Sequence, residues 1–294
     1  MRYVRITAIL SAVVFLLVGI VSVHAQDASP SASSAAATAS PSPTPEVFDF
    51  NKAYKDYVFV TDQYNVAHST YVLARSQYFQ AKTLASQAKA QDATAKMLIA
   101  RDDVMKAYLV ALRLRLSETD GVSDTTKQGL FTRIDTDVAF WKTHHDRIDS
   151  AASLQDLTSD SNSAKLHFPI TETLSYEVLS TIPQGKEFVL RNQLADLLSQ
   201  TKTKISKIRA NGDLDTSESE RWVLQTDQKL TRSQDKEIAA QDLISKLTST
   251  DPTNTNQKKS VIYGQVTQTL VDSLQYLKEA SSYLKEVLKR IKYK

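Results

Sequence analysis

The sequence predicts an all-α fold, an elongated bundle of long antiparallel helices with coiled-coil-like heptad seams. Phe50, Tyr57, Tyr64, Tyr71 and Tyr78 stand seven residues apart, and three residues after each comes a small apolar one: Ala53, Val60, Ala67, Ala74 and Ala81. Large residues alternating with small ones at 3-4 spacing let a long helix lie lengthwise against a partner. From Glu46 onward only five glycines and three prolines occur in 249 residues, so sharp turns are few. No alternating Val/Ile/Thr run bounded by turn residues marks a strand.

The chain opens with Arg2 and Arg5, an apolar run from Ile6 to Val21, and Val23-His24-Ala25, a small-x-Ala site. Residues 1–25 therefore read as a signal peptide cleaved before Gln26; an uncleaved N-terminal anchor is the alternative, because the apolar stretch continued to Val23 reaches 18 residues, the lower length for spanning a bilayer. Residues 26–45 hold four prolines and no large apolar side chain, which predicts a disordered Ser/Ala/Pro-rich spacer. The helical bundle domain follows over 46–294. Both readings of the N-terminus place it outside the cytoplasm, secreted or tethered to the membrane.

The first helix is expected from about Val47 to Ala88, about 60 Å long. The aromatic seam fades at Ala85 and Ala88, which places a turn near 88–93 and a second helix over Ala93–Thr119, with Met97, Leu98, Val104, Met105, Tyr108, Leu109, Leu112 and Leu116 as its stripe. One continuous helix over 47–119 is the alternative. Gly121 closes this region and Ser123 caps the third helix, which carries Leu130, Ile134, Val138, Trp141 and Ile148. Ser153-Leu154-Gln155-Asp156 resembles a capping box opening a fourth helix. Pro169 should kink or divide it, and Pro183 with Gly185 should end it. A fifth helix then runs from Lys186 to Ala210. Asn211-Gly212 stops it, Asp215-x-x-Glu218 starts a sixth reaching Leu247, and residues 251–256 form a loop. The last helix, Lys258–Ile291, shows a stripe of Leu270, Leu274, Leu277, Ser281, Leu284, Leu288 and Ile291.

Composition excludes several kinds of chemistry. There is no cysteine, so an exported chain must be stabilised by burial alone, and thiolate metal sites and thiol nucleophiles are absent. Without Arg2 and Arg5 the chain has 34 basic and 33 acidic residues, a net of +1, which offers no electrostatic reason for nucleic-acid binding. His144-His145-Asp146 puts adjacent imidazoles about 100° apart on a helix, too divergent to grip one ion, and Trp141 one turn before His145 suggests a stacked surface pair. Asn211-Gly212-Asp213-Leu214-Asp215 lacks the later ligands of a calcium loop. Ser-x-x-Lys occurs four times, at Ser86, Ser199, Ser233 and Ser282, without the elements that accompany it in serine acyltransferases. Asp102/Asp103 read as solvated helix surface. No catalytic, cofactor-binding or metal residue is predicted.

Two features invite binding. The seam tyrosines could stack on sugar rings of a wall polymer, although the alternating alanines favour packing between helices. Lys278 to Lys294 carries six basic residues against Glu279 and Glu286. Lys285, Lys289, Arg290, Lys292 and Lys294 are thus a candidate surface for peripheral contact with an anionic membrane or wall polymer, or cations that complement the helix dipole. The expectation is an exported, non-catalytic helical scaffold or protein-interaction module of the cell envelope. Its partner would be an envelope protein or the chain itself; a module for a wall glycan or anionic surface is the alternative.

Overall fold

The computed structural model describes residues 48–151, 153–211, 215–248 and 258–292. The signal and spacer readings and the 251–256 loop lie outside those residues. Six helices follow in order: α1 Phe50–Ala81, α2 Leu84–Ser117, α3 Asp124–Asp149, α4 Leu154–Asn211, α5 Ser217–Thr248 and α6 Lys259–Lys292. Among the described residues there is no strand, so the all-α bundle holds.

Helix α1 starts at Asp49, whose carboxylate accepts from the Lys52 N–H at 2.9 Å. The α1–α2 hairpin is real, but its turn lies at Lys82–Thr83, ahead of the predicted 88–93. Lys82 takes the left-handed conformation with φ of 47°, and its N–H donates to the Tyr78 carbonyl at 2.8 Å. Thr83 and Ser86 then cap α2 reciprocally. A lysine in the left-handed region with a Thr-x-x-Ser cap makes this turn without Gly or Pro, which is why those markers missed it. The Phe50 N–H donates to Glu118 at 3.0 Å, tying the start of α1 to the end of α2.

Ser123 acts as the sequence predicts, whereas α2 ends at Ser117 with Glu118 as its cap, so Gly121 shapes the connection instead of closing the helix. Gly121 has φ of 80°, and the Ser123 hydroxyl accepts from the Thr126 N–H at 3.2 Å. Ser153 likewise caps α4, accepting from the Asp156 N–H at 3.2 Å. The predicted end at Pro183-Gly185 does not occur. The expected fourth and fifth helices are one 58-residue helix running through both Pro169 and Pro183. At 1.5 Å per residue it is about 87 Å long.

An interior proline removes a helical hydrogen bond and costs roughly 3 kcal/mol, so something must outweigh two of them. The stretch from Thr171 to Gly185 is where α4 is most enclosed, with Leu174, Tyr176, Val178, Leu179 and Ile182 all buried. Helices α2 and α3 pack on α4, as do α5 and α6. Burial on several sides at once stabilises the helical path. Gly185 has a packing role rather than a terminating one. A Cβ on it would stand 2.8 Å from the Asp120 carbonyl oxygen, and a Cβ on Gly121 would stand 2.1 Å from the Gly185 carbonyl oxygen. The α2–α3 connection crosses α4 so closely that a side chain at either glycine would clash with backbone.

Helix α4 is the shared spine. Its later half joins Leu194, Leu198 and Ile205 to Val223 and Leu230 of α5 and to Leu277, Leu284 and Val287 of α6. On α6 the buried positions are Ile262, Val266, Leu270, Ser273, Leu277, Ala280, Leu284 and Val287. The predicted stripe shares Leu270, Leu277 and Leu284, but Ser273 and Ala280 take the positions expected of Leu274 and Ser281. The start of α5 also shifts: the Thr216 carbonyl accepts from the Glu220 N–H at 2.8 Å, so Thr216 is the cap, while Asp215 accepts from the Ser217 N–H.

Candidate functional site

Helix α1 has one extensive neighbour, α2. Its seam turns toward that neighbour: Phe50, Ala53, Tyr57 and Ala74 are buried, and Tyr64, Tyr71 and Tyr78 are half-buried. Tyr57 packs on Tyr108 of α2 with ring centroids 5.6 Å apart, and burial pushes its phenol up to about 12. Tyr64 and Tyr71 rest on the cluster of Met97, Leu98, Ile148 and Leu157. The tyrosines thus line a helix–helix contact rather than an exposed ladder.

At 100° per residue, positions two after a seam aromatic lie on an outer flank of the helix, clear of the seam but beside α2. Those positions are Phe59, Val66 and Leu73, again seven apart, and they are 63%, 69% and 60% exposed. Between this stripe and α2 runs a groove of about 630 Å³. Phe59, Asp62, Val66 and Thr70 line it from α1; Ala93, Lys96 and Ala100 line it from α2. The small side chains let the surface dip, and Phe59 and Val66 stand above it. An exposed apolar stripe beside a concave apolar surface, rimmed by polar groups, is the common form of a protein-interaction site. Its signal was present in the sequence at the same seven-residue spacing as the seam, but the aromatic repeat beside it is stronger and conceals it.

Apart from Asp62 and Lys96 on its rim, the groove carries no titratable side chain, and the buried Asp, Glu and His side chains lie between other helices. Asp102, expected at the surface, is fully buried on α2 and bonded to His144 Nδ1 of α3. His144 Nε2 donates to the Asp160 carbonyl of α4 at 2.8 Å, because a carbonyl only accepts. Arg101 donates to the other Asp102 oxygen at 2.9 Å. Trp141 is buried too, with its indole N–H donating to Thr171 at 3.0 Å, so the expected surface pair with His145 does not form. His167 stacks on Phe140 with centroids 3.4 Å apart and bonds to Asp137. These bonds join α2, α3 and α4, and none of their side chains lines the groove.

A second polar cluster sits between α4, α5 and α6. Arg191 donates to both oxygens of Glu237 at 3.0 and 3.1 Å, and the buried Ser233 and Ser273 hydroxyls bond at 2.9 Å. Glu187 is 6% exposed, and burial, with the Glu237 charge nearby, pushes its carboxyl up to about 7. Burial also raises Glu237, against the opposing pull of Arg191. Among the described residues no group of three or more His, Asp or Glu side chains converges to hold a metal ion.

The basic C-terminal candidates divide. Lys285 is exposed, Lys289 pairs with Glu286 at 2.8 Å, and Arg290 pairs with Glu218 of α5. The Lys292 side chain and Lys294 lie outside the described residues. The Arg290–Glu218 pair ties the end of α6 to the start of α5, so part of this charge serves the hairpin. Comparison with protein-family models, curated proteins and solved structures finds no match for the chain.

Proposed function

We propose that this protein is an exported, non-catalytic helical interaction scaffold of the cell envelope, with the outer side of α1 as its binding face. The apolar N-terminal run and the small-x-Ala site at Val23–Ala25 support export, and the Ser/Ala/Pro spacer supports a domain held away from the layer beneath it. One observation carries the interaction reading: Phe59, Val66 and Leu73 expose more than half of their surface on one line of a helix beside an apolar groove. Large apolar side chains kept in water on a rigid hairpin gain free energy when a partner covers them. The glycan alternative draws less support, since the tyrosines face α2. The enzyme reading draws little, since the titratable clusters are enclosed between helices and the groove is apolar.

In-cell photocrosslinking tests the proposal. A photoreactive residue at Val66 should give a protein adduct of defined mass, and the same residue at exposed Ser199 of α4 should not. Equal, heterogeneous labelling at both sites, or recovery of wall fragments only, would reject the reading.

A further inference from the structure

The exposed stripe is symmetric about its own middle. Phe59 and Leu73 each stand seven residues from Val66 and on the same side of α1. A two-fold axis through Val66, perpendicular to the helix, therefore sets Val66 against Val66 of a second copy and Phe59 against Leu73 of that copy. An isologous contact demands this property of one patch, that it be complementary to itself. A heterologous partner places no such demand.

The groove obeys the same operation. Helix α2 runs back along α1 from the turn at Lys82–Thr83, with Lys96 13 residues beyond Thr83 and Thr70 12 residues before Lys82, so Lys96 and Thr70 lie at one level. The axis through Val66 exchanges the levels of Thr70 and Asp62. Asp62 on the rim of one copy then faces Lys96 on the rim of the other, and the pairing occurs twice. Ala67, Ala93 and Ala100 leave the depressions into which Phe59 and Val66 of the second copy can settle, large side chain against small. Lys96 is already paired with Asp92 at 2.8 Å, but both side chains are mostly exposed. Such a pair contributes little and can exchange.

We infer that the occupant of the α1–α2 groove is a second copy of this chain, docked antiparallel about Val66 with Asp62 and Lys96 pairing across the interface. The inference rests on the proposal that α1 carries the binding face, and it names the partner.

A charge-swap cycle with crosslinking on the full chain decides it. Wild type should sediment as a dimer at micromolar concentration. Asp62→Lys and Lys96→Asp should each weaken dimerisation about tenfold, and the double swap should restore it. Because the chain has no cysteine, Val66→Cys should oxidise to a disulfide-linked dimer, while Ser199→Cys should not. Val66→Lys should yield a monomer with unchanged helicity and melting temperature, separating loss of docking from loss of fold. A wild type that stays monomeric at about 100 μM, a double swap that fails to restore association, or equal crosslinking at both cysteines would overturn the inference. A photocrosslink from Val66 to a different protein would uphold the interaction reading and overturn the second copy.

Discussion

The α1–α2 and α5–α6 hairpins use the same device, two long antiparallel helices, yet they bury their inward residues to different degrees. In α5–α6 the inner positions are closed off: Leu247, Val266, Leu277 and Val287 are 0% exposed. In α1–α2 the corresponding positions on α1 fade from buried Tyr57 to half-buried Tyr71 and Tyr78. The difference is the third helix. Helix α4 lies against both α5 and α6, whereas α1 packs extensively on α2 alone. A pair of helices covers a narrow seam, and a third helix in the cleft between them excludes water from it. Periodicity shows that a helix has an inner face; the number of neighbours decides how dry that face becomes.

The polar residues follow the same division. The α4–α5–α6 core admits Ser233 with Ser273 and Arg191 with Glu237 because each pair is hydrogen-bonded, with Glu187 buried beside them, and buried bonds of this kind constrain how the helices align. On the α1 side, Asp102 and His144 join α2 to α3 and α4, and α1 takes no part in that bond. Helix α1 is thus attached by its seam and little else. Its outer stripe of Phe59, Val66 and Leu73 stays in water.

The largest test of the contrast compares truncations. Leu284→Ala in α6, where the side chain is 1% exposed, should cost about 2–5 kcal/mol by chemical denaturation. Tyr71→Ala in α1 should cost about 1–2 kcal/mol despite removing a larger side chain, because only part of it is out of water. Equal losses would mean that the two hairpins are equally enclosed.

A pH series sharpens the comparison inside the drier hairpin. Glu187 binds its proton more tightly in the folded state, its value rising from 4.5 to about 7 through burial. Between those limits the folded chain holds more protons than the unfolded one, so this group's contribution to stability is full below 4.5, falls as pH rises toward 7, and is level above. The loss is on the order of 3 kcal/mol at most. The difference in stability between wild type and Glu187→Gln, followed from pH 4 to 8, should trace that slope; a flat difference would mean that Glu187 is well solvated.

The smallest effect belongs to the turn of the looser hairpin. Lys82→Gly should stabilise the chain by about 0.5–1 kcal/mol, since φ of 47° costs a residue with a Cβ more than it costs glycine. A lower melting temperature would place the strain elsewhere.

Where an element depended on residues a few positions apart, the sequence was legible. Ser123 and Ser153 cap the helices they were expected to cap, and Phe50, Tyr57, Tyr64 and Tyr71 of the expected stripe pack inward. Turn markers were the weak guide. Pro183 and Gly185 promise a helix end when read locally, and Lys82 promises nothing, yet the chain continues at the first and turns at the second. The outer stripe of Phe59, Val66 and Leu73 went unread, because the stronger aromatic repeat shares its spacing and no local pattern shows its exposure.

By itself, then, the sequence determined the helical class, the caps at Ser123 and Ser153 and the inward positions along the first half of α1, because these follow from hydrogen-bond capping and from 3.6 residues per turn. Only the tertiary structure decided that α4 passes through two prolines, that Asp102 and His144 are sealed inside, and that Phe59, Val66 and Leu73 remain in water. Each of these depends on which helices lie alongside, and that sets how much apolar burial is available to offset a broken hydrogen bond or a buried charge. No local pattern contains that quantity.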